Sequence, residues 1–146
     1  MGEVDFLVGK VVYEIRYSAP GNLWMVFEVG DGVVPALYAT LGCSCVFVDS
    51  AGNTHNIEPD TPATVGPILI SVNQRVDRVG TDDGTLDLAF SDGSRLRCAP
   101  DDRYEAWQVV GGFPEHLVVC TPGGELAVWD DQSEVETIRL SDLKPE

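Results

Sequence analysis

The chain has 146 residues, 24 acidic and 9 basic, with a formal net charge of -15 and a pI near 4.2. At that length one domain spanning 1–146 is expected, able to bury roughly 70% of its unfolded surface around a single core. A hydrophobic content of 44%, with three Trp, four Tyr and five Phe, excludes a charge-rich disordered chain. The acidity argues against duplex nucleic acid or an anionic membrane as partner, because both are gripped by Lys and Arg, and neither residue occurs between Arg16 and Arg75.

The N-terminal Met1-Gly2-Glu3-Val4-Asp5 has no basic region and no apolar run of signal-peptide length, and stretches such as Leu23 to Phe27 are too short to span a membrane. A cytoplasmic protein is expected. In that compartment Cys43, Cys45, Cys98 and Cys120, each in an apolar strand-like run, read as buried free thiols.

The dominant period is two. Val11, Tyr13, Ile15 and Tyr17 can face Val29, Phe27, Met25 and Leu23 across the turn Ser18-Ala-Pro-Gly-Asn22, which sets Arg16 opposite Trp24, a candidate cation–π pair. Leu69, Val72, Val76 and Val79 after Pro67 would suit a short helix, but the alternation of Val11 to Tyr17, to which this segment aligns, favours a strand. In Thr85 to Cys98 register decides the turn: a three-residue loop, Ser91 to Gly93 with the glycine left-handed, pairs Leu86 with Cys98, Leu88 with Leu96 and Asp87 with Arg97. Tyr104 to Val110 reads as a strand, and Leu117 to Cys120 with Leu126 to Trp129 as a hairpin about Thr121-Pro-Gly-Gly124. The acidic segment 130–146 offers one exposed strand, Val135 to Leu140, whose edge would suit a homodimer.

An internal repeat is also expected. Val8, Val12 and Ile15 align with Val72, Val76 and Val79, and Gly9 falls on Asn73, two residue types that tolerate a left-handed backbone. Phe47, Gly52, Ile57, Pro59 and Asp60 then parallel Phe90, Gly93, Cys98, Pro100 and Asp101, with a small insertion before the first glycine. The units are about 6–60 and 70–107, the first interrupted by an extra segment from Pro20 to Leu41. The fold expected is all-β, a small barrel or sandwich of two related hairpin units plus closing strands, with little helix.

The run Phe90, Asp92, Gly93, Leu96, then Pro100, Asp101, Tyr104, Glu105, Ala106, Trp107, then Gly123, Gly124 and Trp129 resembles an uncharacterised family of small bacterial proteins, a domain of unknown function. Its motif is F-x-D-G-x-x-L followed by P-D-x-x-Y-E-A-W. The resemblance covers the second half of the chain and implies a duplicated β fold in a bacterial cytosol. It carries no activity.

Two constellations invite chemistry. If Tyr104 to Val110 is extended, Glu105 and Trp107 share a face and could bind a cationic or sugar-like group, with Asp92 and Asp101 supplying turn carboxylates. The competing reading makes Trp107 core and the aspartates turn-formers. Cys43, Cys45 and His55 share a face and form a weak metal candidate, because three ligands without a Cys-x-x-Cys knuckle do not define a zinc site. No cofactor is expected. A small, acidic, motif-poor β domain fits a non-enzymatic binding protein, such as an immunity or inhibitor protein docking on a basic bacterial partner. The alternative is a small-molecule-binding barrel or cryptic enzyme using Glu105, Trp107 and the turn carboxylates.

Overall fold

The computed structural model describes residues 2–30, 35–112 and 115–130. Alternation of apolar and polar residues places eleven strands among the described residues: β1 (Glu14–Ser18), β2 (Asn22–Glu28), β3 (Leu37–Leu41), β4 (Cys45–Val48), β5 (Thr54–Ile57), β6 (Val76–Gly80), β7 (Leu86–Phe90), β8 (Arg95–Cys98), β9 (Trp107–Gly111), β10 (His116–Cys120) and β11 (Leu126–Asp130). They form two antiparallel sheets, ordered β1-β2-β3-β9-β10-β11 and β5-β4-β8-β7-β6. The architecture is a sandwich and not a closed barrel, and one cluster of buried side chains from both sheets fills it. The helical content of the described residues is confined to short 3-10 segments, and none of their helices is long and apolar enough to cross a membrane.

The expected registers hold from Ile15 onward, but not at the start of the first hairpin, where β1 begins at Glu14 and Val11 bridges Arg75 in place of facing Val29. Ile15 pairs with Met25, Arg16 with Trp24 and Tyr17 with Leu23. Leu86 pairs with Cys98, Asp87 with Arg97 and Leu88 with Leu96, and Leu117 pairs with Trp129. Trp24 stacks on Tyr38 at 4.8 Å, and the Arg16 Nε donates to Glu14 at 3.1 Å. Asp87 lies opposite Arg97 but is gripped by Arg95, whose Nε and a terminal nitrogen donate at 2.8 and 2.7 Å; the Arg97 Nε is 3.4 Å away. The fork of Arg95 reaches diagonally because a bidentate pair aligns two N–H groups with two oxygens.

Three hairpins close with the same loop. Phe90 N–H donates to Ser94 O and Gly93 N–H to Phe90 O; Asp49 with Asn53 and Gly52, and Thr121 with Glu125 and Gly124, repeat the pattern. Gly52, Gly93 and Gly124 all have φ between +90° and +98°, a conformation without steric cost only for glycine. The β4–β5 loop therefore has no insertion relative to β7–β8. Phe47, which faces Leu96 across β8, occupies in its hairpin the place that Leu88 occupies in the other, and the alignment of Phe47 with Phe90 is corrected by two residues.

Other sequence expectations change. Tyr104 to Ala106 are loop, so the strand begins at Trp107, and the segment after Pro67 is 3-10 over Gly66–Ser71 before the chain extends into β6. The stretch from Pro20 to Leu41, expected as an extra segment, takes part in a sheet. It supplies β2 and β3, and β1-β2-β3 stands in one sheet as β6-β7-β8 stands in the other. After each meander the chain crosses over, so that β4-β5 extends from β8 and β9-β10 extends from β3.

The two meanders meet at a reciprocal corner. Gly9 N–H donates to Val76 O while Asn73 N–H donates to Val12 O, and Val12 N–H donates to Gln74 O while Val76 N–H donates to Lys10 O, about the bridge Val11–Arg75. Gly9 and Asn73 are both left-handed, at φ +90° and +76°. Val135 to Leu140 lie outside the described residues.

Candidate functional site

The expected site residues separate into three places. Trp107 is core: it is 1% exposed and its Nε1 donates to Gly84 O at 2.9 Å, so its indole presents no face to a ligand. This overturns the pairing of Glu105 with Trp107 on one exposed strand face, since Glu105 precedes the strand and is exposed. Asp92 lies in the β7–β8 loop, where its Oδ1 accepts from Ser94 N–H at 2.9 Å and Ser94 Oγ at 2.6 Å. Asp101 follows the far end of β8, and its Oδ2 accepts from Arg103 N–H at 2.8 Å and Tyr104 N–H at 3.0 Å. Both are turn-formers at opposite ends of one strand, and they do not converge.

What the fold does bring together is the pair of Pro-Asp turns. Glu58-Pro59-Asp60 leaves β5 and Ala99-Pro100-Asp101 leaves β8, and because β4 lies between β5 and β8 both turns emerge near the crossover Gly42-Cys43-Ser44. Between them lies an open pocket of about 350 Å³ bordered by Cys43, Glu58, Asp60, Asp101 and Tyr104. Its walls are fixed locally. Tyr17 Oη donates to Pro59 O at 2.6 Å, Ser44 Oγ donates to Glu58, and Gly42 N–H donates to Ala106 O at 2.9 Å. Tyr104 stands 64% exposed at the rim.

Three carboxylates set the character of the pocket. Burial, and then the negative charge of Asp101, push the Cys43 thiol above its ordinary value, with Cys45, Asp60 and Cys120 adding to the shift. A thiol so placed stays protonated, and it is the thiolate that acts as nucleophile and metal ligand. Glu58, Asp60 and Asp101 make the border of the pocket acidic, with exposed Tyr104 beside them.

The metal candidates do not assemble. His55 Nε2 is 3.0 Å from Asp49 Oδ2 and its ring leans on Phe47, while the Cys45 sulfur lies 2.9 Å from that of Cys98. The bond to His55, followed by the backbone N–H of Asn53, lowers the Asp49 pKa. No group of three His, Cys, Asp or Glu side chains able to hold a metal occurs among the described residues. His116 stacks on Phe6 at 4.2 Å. An open groove of about 640 Å³ also runs along the outside of β1, bordered by Glu14, Arg16, Asn22 and Trp24.

The sequence reading found Asp101 and Tyr104 but missed Glu58, Asp60 and Cys43 as their neighbours. The recurrence of Pro-Asp after both hairpins was the available signal; that the two turns adjoin depends on the β4–β8 pairing. A family of unknown function (DUF6188) matches residues 39–130, and the chain belongs to that family. No curated protein and no solved structure matches it.

Proposed function

We propose that this member of the DUF6188 family is an acidic, non-enzymatic protein-binding domain of the immunity or inhibitor kind, which docks on a basic partner in a bacterial cytoplasm. The observation that carries the reading is the pocket between the Pro-Asp turns, where Glu58, Asp60 and Asp101 border a space of about 350 Å³ with Tyr104 exposed beside them. It admits a Lys or Arg side chain. The net charge of -15 acts on the same encounter, because an acidic surface steers a basic partner and raises its association rate.

The enzyme or small-molecule reading loses the pairing of Glu105 with Trp107 on one exposed face, because Trp107 is core. The internal repeat belongs to the same proposal. Reciprocal bonding at Gly9 to Val12 and Asn73 to Val76, with matching crossovers, is what two copies of one ancestral unit would leave.

Titration of the full chain with a hexa-arginine peptide, followed by calorimetry at low and high salt, tests the pocket. Binding should fall with salt, and Asp60→Asn and Asp101→Asn should each weaken it by roughly two- to fivefold, the range of an exposed ion pair. Binding indifferent to salt and to both substitutions would end the reading.

A further inference from the structure

Cys45 in β4 and Cys98 in β8 stand directly opposite one another across an antiparallel pair. Their sulfurs are 2.9 Å apart, and the residues are 2% and 1% exposed. Directly opposed residues in such a pair have Cα atoms about 4.5 to 5.5 Å apart, inside the window a disulfide requires, so a bond needs only a small adjustment toward the covalent S–S distance of about 2.05 Å. No strand has to move. The two cysteines lie 53 residues apart in the chain and join strands that belong to different hairpins.

We infer that Cys45 and Cys98 form a built dithiol site that hydrogen peroxide, a small neutral oxidant, converts to a disulfide. Size selects the oxidant, because neither sulfur is open to a bulky disulfide reagent. Cys45, after losing its proton, attacks one peroxide oxygen; the O–O bond breaks, the departing hydroxide takes up a proton as water, and Cys45 becomes a sulfenic acid. Cys98 then attacks the Cys45 sulfur. The S–S bond forms as the S–O bond breaks, and the hydroxyl leaves with the Cys98 proton as a second water. Two thiols lose two electrons and two protons, and the peroxide is reduced to two waters.

The test treats the reduced full chain with hydrogen peroxide, blocks remaining thiols with iodoacetamide and maps the peptides by mass. A cross-linked peptide holding Cys45 and Cys98, lighter by two hydrogens and released by dithiothreitol, is expected, together with a rise in melting temperature of roughly 10 °C from closing so long a loop. Cys98→Ser should abolish the cross-link and leave a Cys45 sulfenic acid that dimedone traps. If Cys98→Ser does not fold, the wild-type map decides alone. Oxidation confined to the half-buried Cys43, or a cross-link from Cys43 in place of Cys45–Cys98, would overturn the inference.

Discussion

The two sheets face the same core with the same alternation, yet their outer faces differ. Across the six-stranded sheet the register sets Val26, Tyr38, Val110, Leu117 and Trp129 side by side, an apolar row that crosses five strands. Across the five-stranded sheet the corresponding row is Asn56, Val46, Arg97, Asp87 and Gly80. Val26, although outward, is fully buried on a face where Trp24 stacks on Tyr38, whereas Arg95 and Arg97 stand exposed around Asp87. The inward residues drive the fold, and the outward ones are free to be aromatic or charged. On one outer face Trp24 and Tyr38 stack, and on the other Arg95 and Arg97 pair with Asp87.

The largest effect that would sharpen this contrast is at an inward position. Leu88→Ala should lower the unfolding free energy by about 2 to 5 kcal/mol in urea titration, because the side chain is wholly buried between the sheets. On the outer aromatic row, Tyr38→Ala should cost about 1 kcal/mol beyond its lost burial, and Tyr38→Phe should recover most of that, since ring stacking and not the hydroxyl is at stake. A loss as large as that of Leu88→Ala would make the outer row a second core and break the distinction.

The smallest effect lies at the edge of the five-stranded sheet, where Asp49 in the β4–β5 loop bonds His55. The Asp49 carboxyl is held below its ordinary pKa by His55, so its contribution is present above the carboxylate range and is lost as pH falls through the folded value. The stability difference between the wild type and Asp49→Asn should therefore be present at neutral pH and vanish on acidification below about pH 4, as followed by melting at each pH.

Much of the local structure was legible. Leu86-x-Leu88-x-Phe90 and Leu96-x-Cys98 specified both a face and a three-residue loop, because a one-residue slip would have turned Phe90 toward Arg95. The left-handed pair Gly9 and Asn73 was legible for the same reason, as side-chain chemistry dictates backbone freedom at single residues. The candidate site was legible only in part. Tyr104 and Asp101 do border one pocket, but Trp107 does not share a face with Glu105, because an aromatic at the start of a strand packs inward or outward according to which strand lies beside it. Here β9 pairs with β3, and Trp107 falls opposite Leu41 on the core face.

By itself the sequence determined an all-β chain, most of its hairpin registers, its glycine loops and a strongly negative charge, all consequences of alternation, turn chemistry and composition that act within a few residues. Only the tertiary structure decided the rest. The crossovers that carry β4-β5 to β8 and β9-β10 to β3 join segments distant in the chain, and apolar alternation is alike in every strand, so it does not choose among partners. Those pairings bring the Pro-Asp turns to one pocket and Cys45 against Cys98, and both proposed chemistries rest on them.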